Sequence, residues 1–186
     1  FGGEALIEWP LVQHAIASGT ERAEAAGQHM DFILSTNGWS LDTAKLRWLS
    51  AYPVKLELSL DGTSQVQNTF RQALLKGEDS YARGIPAKAA DIIASGLDYD
   101  VIMVVHPKAV DRMPESFFHI AELGFERIQI NFGLGYLWAK EQEQRFADGL
   151  HTIGTQLRER WALGSNLKMV NLLGLPMPIR LNAEIT

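Results

Sequence analysis

Four short phrases in this chain are built from residues that could hold a small polar molecule. They are Gly2-Gly3-Glu4, Thr36-Asn37-Gly38, Ser59-Leu60-Asp61-Gly62 and His106-Pro107. Paired glycines let a backbone come close to a ligand, and the amides and carbonyls so exposed can meet an ammonium or a carboxylate. Taken singly, each phrase is ordinary turn chemistry. Each, however, stands where an apolar run ends, and ligands of parallel α/β folds bind at the carboxyl ends of strands. Other chemistry is poorly represented. There is no cysteine, so the chain offers no disulfide and no thiolate metal site. His14, His29, His106, His119 and His151 are scattered, without metal-ligand spacing. No G-x-S-x-G elbow, Walker motif or G-x-G-x-x-G is present to support an unrelated α/β enzyme such as a hydrolase.

The elements that must position these phrases alternate. Strands are expected at "MDFILSTNG", "VKLELSLDG", "YDVIMVVHP" and "RIQINFG". Helices are expected at "WPLVQHAIASGTERAEAAG", with Leu11, Val12, Ala15 and Ile16 on one face, and at "SLDTAKLRWLSAYP", capped by Ser40 and ended by Pro53. Two more, "IPAKAADIIASG" and "MPESFFHIAELG", share a proline start and a glycine stop. A long helix follows over Lys140 to Leu163, with Phe146, Leu150, Ile153, Leu157 and Trp161 as its apolar face. Thr63 to Arg83 reads as less regular, and "LKMVNLLGLPMPIRLNAEIT" as one or two strands.

With 186 residues, 46% hydrophobic and 21% charged, the chain has an ordinary globular composition and enough length for one sizeable core. The net charge of −5 carries no basic stripe, so nucleic acid is not an expected partner. Neither a signal-peptide pattern nor an apolar run near the ~20 residues of a membrane span occurs. No membrane association is expected, and the default setting is cytoplasmic.

Alternating strands and helices imply parallel pairing with right-handed crossovers, which a flat doubly wound sheet and a barrel both satisfy. Side chains alternate along a strand. Leu56, Leu58 and Leu60 share one face while Lys55, Glu57 and Ser59 share the other; Ile128 and Ile130 oppose Gln129 and Asn131. A sheet covered by helices on both sides shows continuous apolar strands instead. The expected fold is therefore an α/β, partial TIM-like βα barrel with helices outside and a polar-lined interior.

In order, "FGGEALIEW", "STNG", "LSLDG", "VIMVVHP" and "ELGFERIQINF" resemble the radical S-adenosylmethionine (radical SAM) superfamily, nearest its peptide- and protein-modifying branch with SPASM or twitch extensions. The likeness runs from Phe1 to about Asn131, and "LNAEIT" resembles the strand that opens the extension. Ala5 stands where the family usually has proline. The resemblance implies a core barrel over residues 1–165 and a last barrel strand with the start of an extension over 166–186. It implies that Gly2, Gly3 and Glu4 meet the amino group of S-adenosylmethionine (AdoMet), that Thr36 and Asn37 lie against the cofactor, and that Ser59 contacts its carboxylate or ribose. Arg71 matches an arginine that in relatives follows a His-Asp pair, here Gln67-Asn68, and Arg83 is a second candidate for a carboxylate contact. Gln129 and Asn131 match the strand bordering the adenine. Asp61 is read as a turn acceptor and His106 as a structural residue at a strand end.

The family's C-x-x-x-C-x-x-C, whose three thiolates hold a 4Fe–4S cluster, is not in the chain. The resemblance places it upstream, so the chain is expected to be a fragment without its first strand and cluster loop. The parent would cleave AdoMet reductively to a 5′-deoxyadenosyl radical and modify a peptide or protein substrate, with an external electron donor. The alternative is a degenerate, cluster-free module of the same fold that binds AdoMet or peptide.

Overall fold

The computed structural model describes residues 3–73 and 77–172. Gly2 and the "LNAEIT" tail lie outside the described residues. Five strands, β1 (Phe32–Thr36), β2 (Val54–Ser59), β3 (Asp98–Val105), β4 (Arg127–Phe132) and β5 (Lys168–Met169), form one sheet in the order β1-β2-β3-β4-β5. Every neighbouring pair is parallel. The order never reverses. A right-handed crossover repeated in one direction lays each connecting helix on the same side of the sheet, which separates this half barrel from a doubly wound sheet.

The helices are α1 (Trp9–Ala25), α2 (Thr43–Leu49), α3 (Ser64–Phe70), α4 (Ser80–Arg83), α5 (Ala89–Ala94), α6 (Met113–Glu122) and α7 (Lys140–Ala162). The core lies between them and one face of the sheet. Leu34, Leu56, Leu58, Val101, Met103, Val105, Ile128 and Ile130 supply the sheet side; Ile16, Leu46, Leu49, Ile92, Phe117, Ile120, Ile153 and Leu157 supply the helices. Each such side chain contributes about 1.5–3 kcal/mol by leaving water.

Several expectations are corrected. Along α1 the inward stripe is Val12, Ile16 and Ala23, while Leu11 and Ala15 face solvent. Spacings of four and seven residues keep one helical face, and Leu11 falls off it. The stretch from Thr63 to Arg83 contains α3 and α4. Asp42, not Ser40, caps α2, accepting from Lys45 N at 2.8 Å and pairing with Lys45 Nζ at 2.5 Å. The Lys45 contact holds the Asp42 carboxyl below its ordinary range. Asp42→Ala is expected to cost about 1 kcal/mol in urea unfolding at pH 7. Because the folded carboxyl is the stronger acid, that contribution is present above a pH of about 3.9 and is lost as pH falls through the folded value. Equal stability of the two proteins at pH 7 would refute the cap.

β5 is only two residues long, and a side chain extends its ladder. Asn171 Oδ1 accepts from Ile130 N at 2.7 Å and its Nδ2 donates to Ile130 O at 2.9 Å, so the β4 backbone stays satisfied beyond the end of β5.

Candidate functional site at the carboxyl ends of the strands

Parallel pairing puts the loops after β1, β2, β3 and β4 at one end of the sheet. The chain entering α1 is tied to the same end. Glu4 starts the 3-10 turn Ala5–Glu8 and reaches across to the β1 loop. Its Oε1 accepts from Leu6 N at 3.2 Å and from the Thr36 hydroxyl at 2.7 Å, and its Oε2 accepts from Asn37 N at 2.8 Å. Gly38 N then donates to Thr36 Oγ1 at 3.0 Å, and Trp39 N to Asn37 Oδ1 at 2.9 Å. Gly38 has φ +79°, a left-handed conformation that suits glycine and turns the loop back toward Ile85. Glu4, Thr36, Asn37 and Gly38 thus form one latched unit, with Gly3 joined to it only through the chain. Thr36 lies on the apolar side of β1 with its hydroxyl spent on Glu4 and Gly38. Gly3 is exposed, with nothing within 4 Å of where a Cβ would stand.

The other face of the sheet is polar. Strand parity and register place Ser35, Glu57, Ser59, Gln129 and Asn131 on it, with Ile102 opposite Ser59 and Val104 opposite Asn131. Ser35 donates to Glu57 Oε2 at 2.6 Å, and Gln129 Nε2 donates to Asn131 Oδ1 at 2.9 Å. At the amino ends of the strands the same face carries charge: Asp100 Oδ2 meets Lys55 Nζ at 2.5 Å, and Arg127 NH1 meets Asp98 Oδ1 at 2.6 Å. Arg127 Nε and Asp100 Oδ1 are 2.8 Å apart but misaligned for a hydrogen bond, so they act as an ion pair. The face therefore runs from an ionic layer at the foot to neutral hydroxyl and amide groups toward the carboxyl ends of the strands.

Arg71 does not stand free. Its Nε donates to Asp61 Oδ2 at 2.7 Å and its NH2 to Asp61 Oδ1 at 3.0 Å. Asp61 Oδ1 also accepts from Val104 N at 2.9 Å, and Asp61 N donates to Gln67 Oε1 at 2.9 Å. Asp61 is thus a buried clamp between the β2–α3 loop and β3, where a turn acceptor was expected. Arg83 pairs with Glu78 and lies over the Trp39 ring at 4.7 Å. Sequence reasoning missed the Asp61 clamp because a bidentate partner ten residues away leaves no local pattern.

His106 continues the polar row of β3 past Ile102 and Val104. Its ring stacks on Phe70, with centroids 4.2 Å apart, and meets the Tyr136 ring at 4.3 Å. Nδ1 accepts from Lys108 N at 3.0 Å, which leaves the proton of the neutral ring on Nε2. Burial, with help from the nearby Lys108 charge, pushes its pKa down. The β4–α7 loop rises beside it. Gly133 N donates to Val105 O at 3.0 Å, an approach so close that a Cβ would stand 2.6 Å from that oxygen. Trp138 Nε1 donates to Gly133 O at 3.0 Å, and its ring stacks on Phe132 at 3.8 Å. Between these anchors Leu134 and Leu137 stand 87% and 98% exposed.

A cavity of about 560 Å³ opens at the opposite end, against Phe32, Val54, Lys55, Leu97 and Asp98. Its one ammonium already serves Asp100, and ligands of parallel sheets bind at the other end. Among the described residues no group of His, Asp and Glu is arranged to hold a metal ion, and no helix is long and apolar enough to cross a membrane.

Comparison with solved structures matches this architecture to anSMEcpe. Native anSMEcpe with bound AdoMet superposes with a TM-score of 0.79 at 17% identity, over 94% of this chain and 49% of that one. Native anSMEcpe with bound AdoMet and the Kp18Cys peptide gives 0.78 at 16%, over 94% and 49%. The complex with the Cp18Cys peptide gives 0.78 at 16%, over 94% and 50%. The fold is an α/β half barrel of five parallel strands, matching about half of the anSMEcpe structure. The chain spans about half the length of the structures it matches. No family profile and no curated protein matches the sequence.

Proposed function

We propose that this chain is the AdoMet-holding half barrel of a radical SAM-type enzyme that acts on a polypeptide. The observation that carries the reading is the fold match to anSMEcpe, whose structures hold AdoMet and peptides, together with polar groups gathered at the carboxyl ends of parallel strands. Gly3 offers open main chain for the amino group, one residue before Glu4, which holds Asn37 N. Ser59 presents a hydroxyl with no protein partner among the described residues, and Gln129 and Asn131 present amides on the same face two strands away. Glu4 and Thr36 hold this rim in place through their mutual hydrogen bond, and Arg71 supports it through Asp61. Bound AdoMet would supply an adenosyl group for radical chemistry.

The 186 residues do not fit the cluster that such chemistry needs. They contain no cysteine, so thiolate ligands would come from residues outside them, and reducing electrons from an external donor. That same observation favours a second reading, a cluster-free module that binds AdoMet or peptide without turnover.

Calorimetry of the chain with millimolar AdoMet tests the reading. Binding is expected, with Ser59→Ala and Asn131→Ala each weakening it about five- to tenfold, the loss of one hydrogen bond. No binding, or binding indifferent to both changes, would refute it. Iron–sulfide loading of the whole protein separates the two readings: the first predicts 5′-deoxyadenosine, the second none.

A further inference from the structure

His106 is fixed more rigidly than a strand-end residue requires. Its ring is held on one side by Phe70 and at its edge by Tyr136. Lys108 N occupies Nδ1, so Nε2 carries the hydrogen, and it has no protein acceptor among the described residues. A locked neutral donor of this kind is suited to a neutral acceptor. Position says which ligand it meets. His106 lies on the same face as Asn131 and Ser59 but two residues beyond Val104, the partner of Asn131. Two strand residues advance about 7 Å, which sets His106 outward of Asn131, itself two residues beyond the level of Ser59, Ile102 and Gln129. The adjoining loop offers apolar surface: Tyr136 touches the ring, and Leu134 and Leu137 are exposed between the Gly133 and Trp138 anchors. A donor for a carbonyl beside a wall for an apolar side chain is a description of one peptide unit.

We propose that His106 is the substrate-side hydrogen-bond donor of this site, giving its Nε2–H to a main-chain carbonyl of a bound polypeptide whose neighbouring apolar side chain lies against Leu134 and Tyr136. This rests on the AdoMet reading for the cofactor layer beneath it. His106 is a substrate-positioning residue and takes no part in bond breaking.

The test titrates acetyl-Ala-Leu-Ala-amide into the 186-residue chain in the presence of AdoMet, following imidazole nitrogens by NMR. The Nε2 resonance of His106 should move while those of His14, His29, His119 and His151 stay put. The Asp-centred analogue acetyl-Ala-Asp-Ala-amide should bind about tenfold more weakly. His106→Gln places an amide N–H near the Nε2 position and should bind within about threefold of the parent. His106→Asn keeps an acceptor for Lys108 N but loses the outer donor, and should bind the Leu peptide about tenfold more weakly with AdoMet affinity unchanged. A peptide that leaves His106 unmoved, or an Asn variant that binds like the parent, overturns the proposal. Calorimetry with AdoMet on the same samples keeps the two ideas apart. AdoMet binding without the His106 effect rejects this proposal alone; a His106 effect without AdoMet binding supports it and rejects the cofactor reading.

Discussion

Asp100→Ala is expected to lower the unfolding free energy by about 3 kcal/mol, a large fraction of an ordinary domain's stability of about 5–15 kcal/mol. Asp100 is 3% exposed and is the shared counter-ion of Lys55 and Arg127. Burying the Asp100 carboxylate costs several kcal/mol, which its two partners offset only while the set is whole; Lys55 and Arg127, 30% and 35% exposed, keep part of their hydration. Alanine leaves two cations facing each other, with only Asp98 at the rim to answer Arg127. Urea unfolding by circular dichroism reads the loss directly. The decisive contrast is Lys55→Met with Asp100→Leu and Arg127→Met, which removes the whole set and should recover most of the stability. If the single change costs less than about 1 kcal/mol, the range of an exposed pair, the ionic layer is not what holds the foot of the sheet.

The second large effect belongs to the clamp at the other end. Asp61→Ala removes the acceptor of Val104 N and the partner of the Arg71 fork together. Asp61 is 4% exposed, whereas the Arg71 side chain is 31% exposed. The guanidinium can therefore turn partly to water, which limits the loss to about 3 kcal/mol. Asp61→Asn keeps an acceptor for Val104 N and should cost roughly half as much. Arg71→Ala strands the buried carboxylate and should cost about as much as Asp61→Ala. A double-mutant cycle should return a coupling above about 1 kcal/mol. A coupling near zero would reduce Asp61 to the turn acceptor that its Leu-Asp-Gly setting suggests.

These two networks mark where sequence and structure part. The half barrel was legible because its signal is periodic. Leu56 and Leu58 alternate with Lys55 and Glu57, and Ile128 and Ile130 with Gln129 and Asn131, so parity alone assigns the two faces. The helix start at Pro114 and the stops at Gly96 and Gly124 were legible for the same local reason, whereas Pro86 lies in a 3-10 turn, Ile85–Lys88, and α5 begins only at Ala89. The helix over Ser64–Phe70 was not. It has one buried apolar residue, Val66, and its neighbour Gln67 is buried to hold Asp61 N, so no hydrophobic stripe announces it. Ser40 and Asp42 are both good caps, and only the chain's path chooses between them. At the site, the phrases that end strands were visible, but their partners were not. Glu4 meets Thr36 across thirty-two residues, and Arg71 is spent on Asp61. Tertiary pairing of this kind decides whether a polar side chain faces a ligand or a neighbour.

The central claim is that Gly3, Asn37, Ser59 and Asn131 line a single AdoMet site on the polar face of the half barrel. A 15N-labelled sample titrated with AdoMet tests it residue by residue. The account predicts amide shifts gathered at Gly3, Asn37, Ser59, Gln129 and Asn131, with Lys55, Asp98 and the foot of the sheet unmoved. Shifts confined to the foot cavity around Phe32 and Leu97, or none at saturating AdoMet, would contradict it.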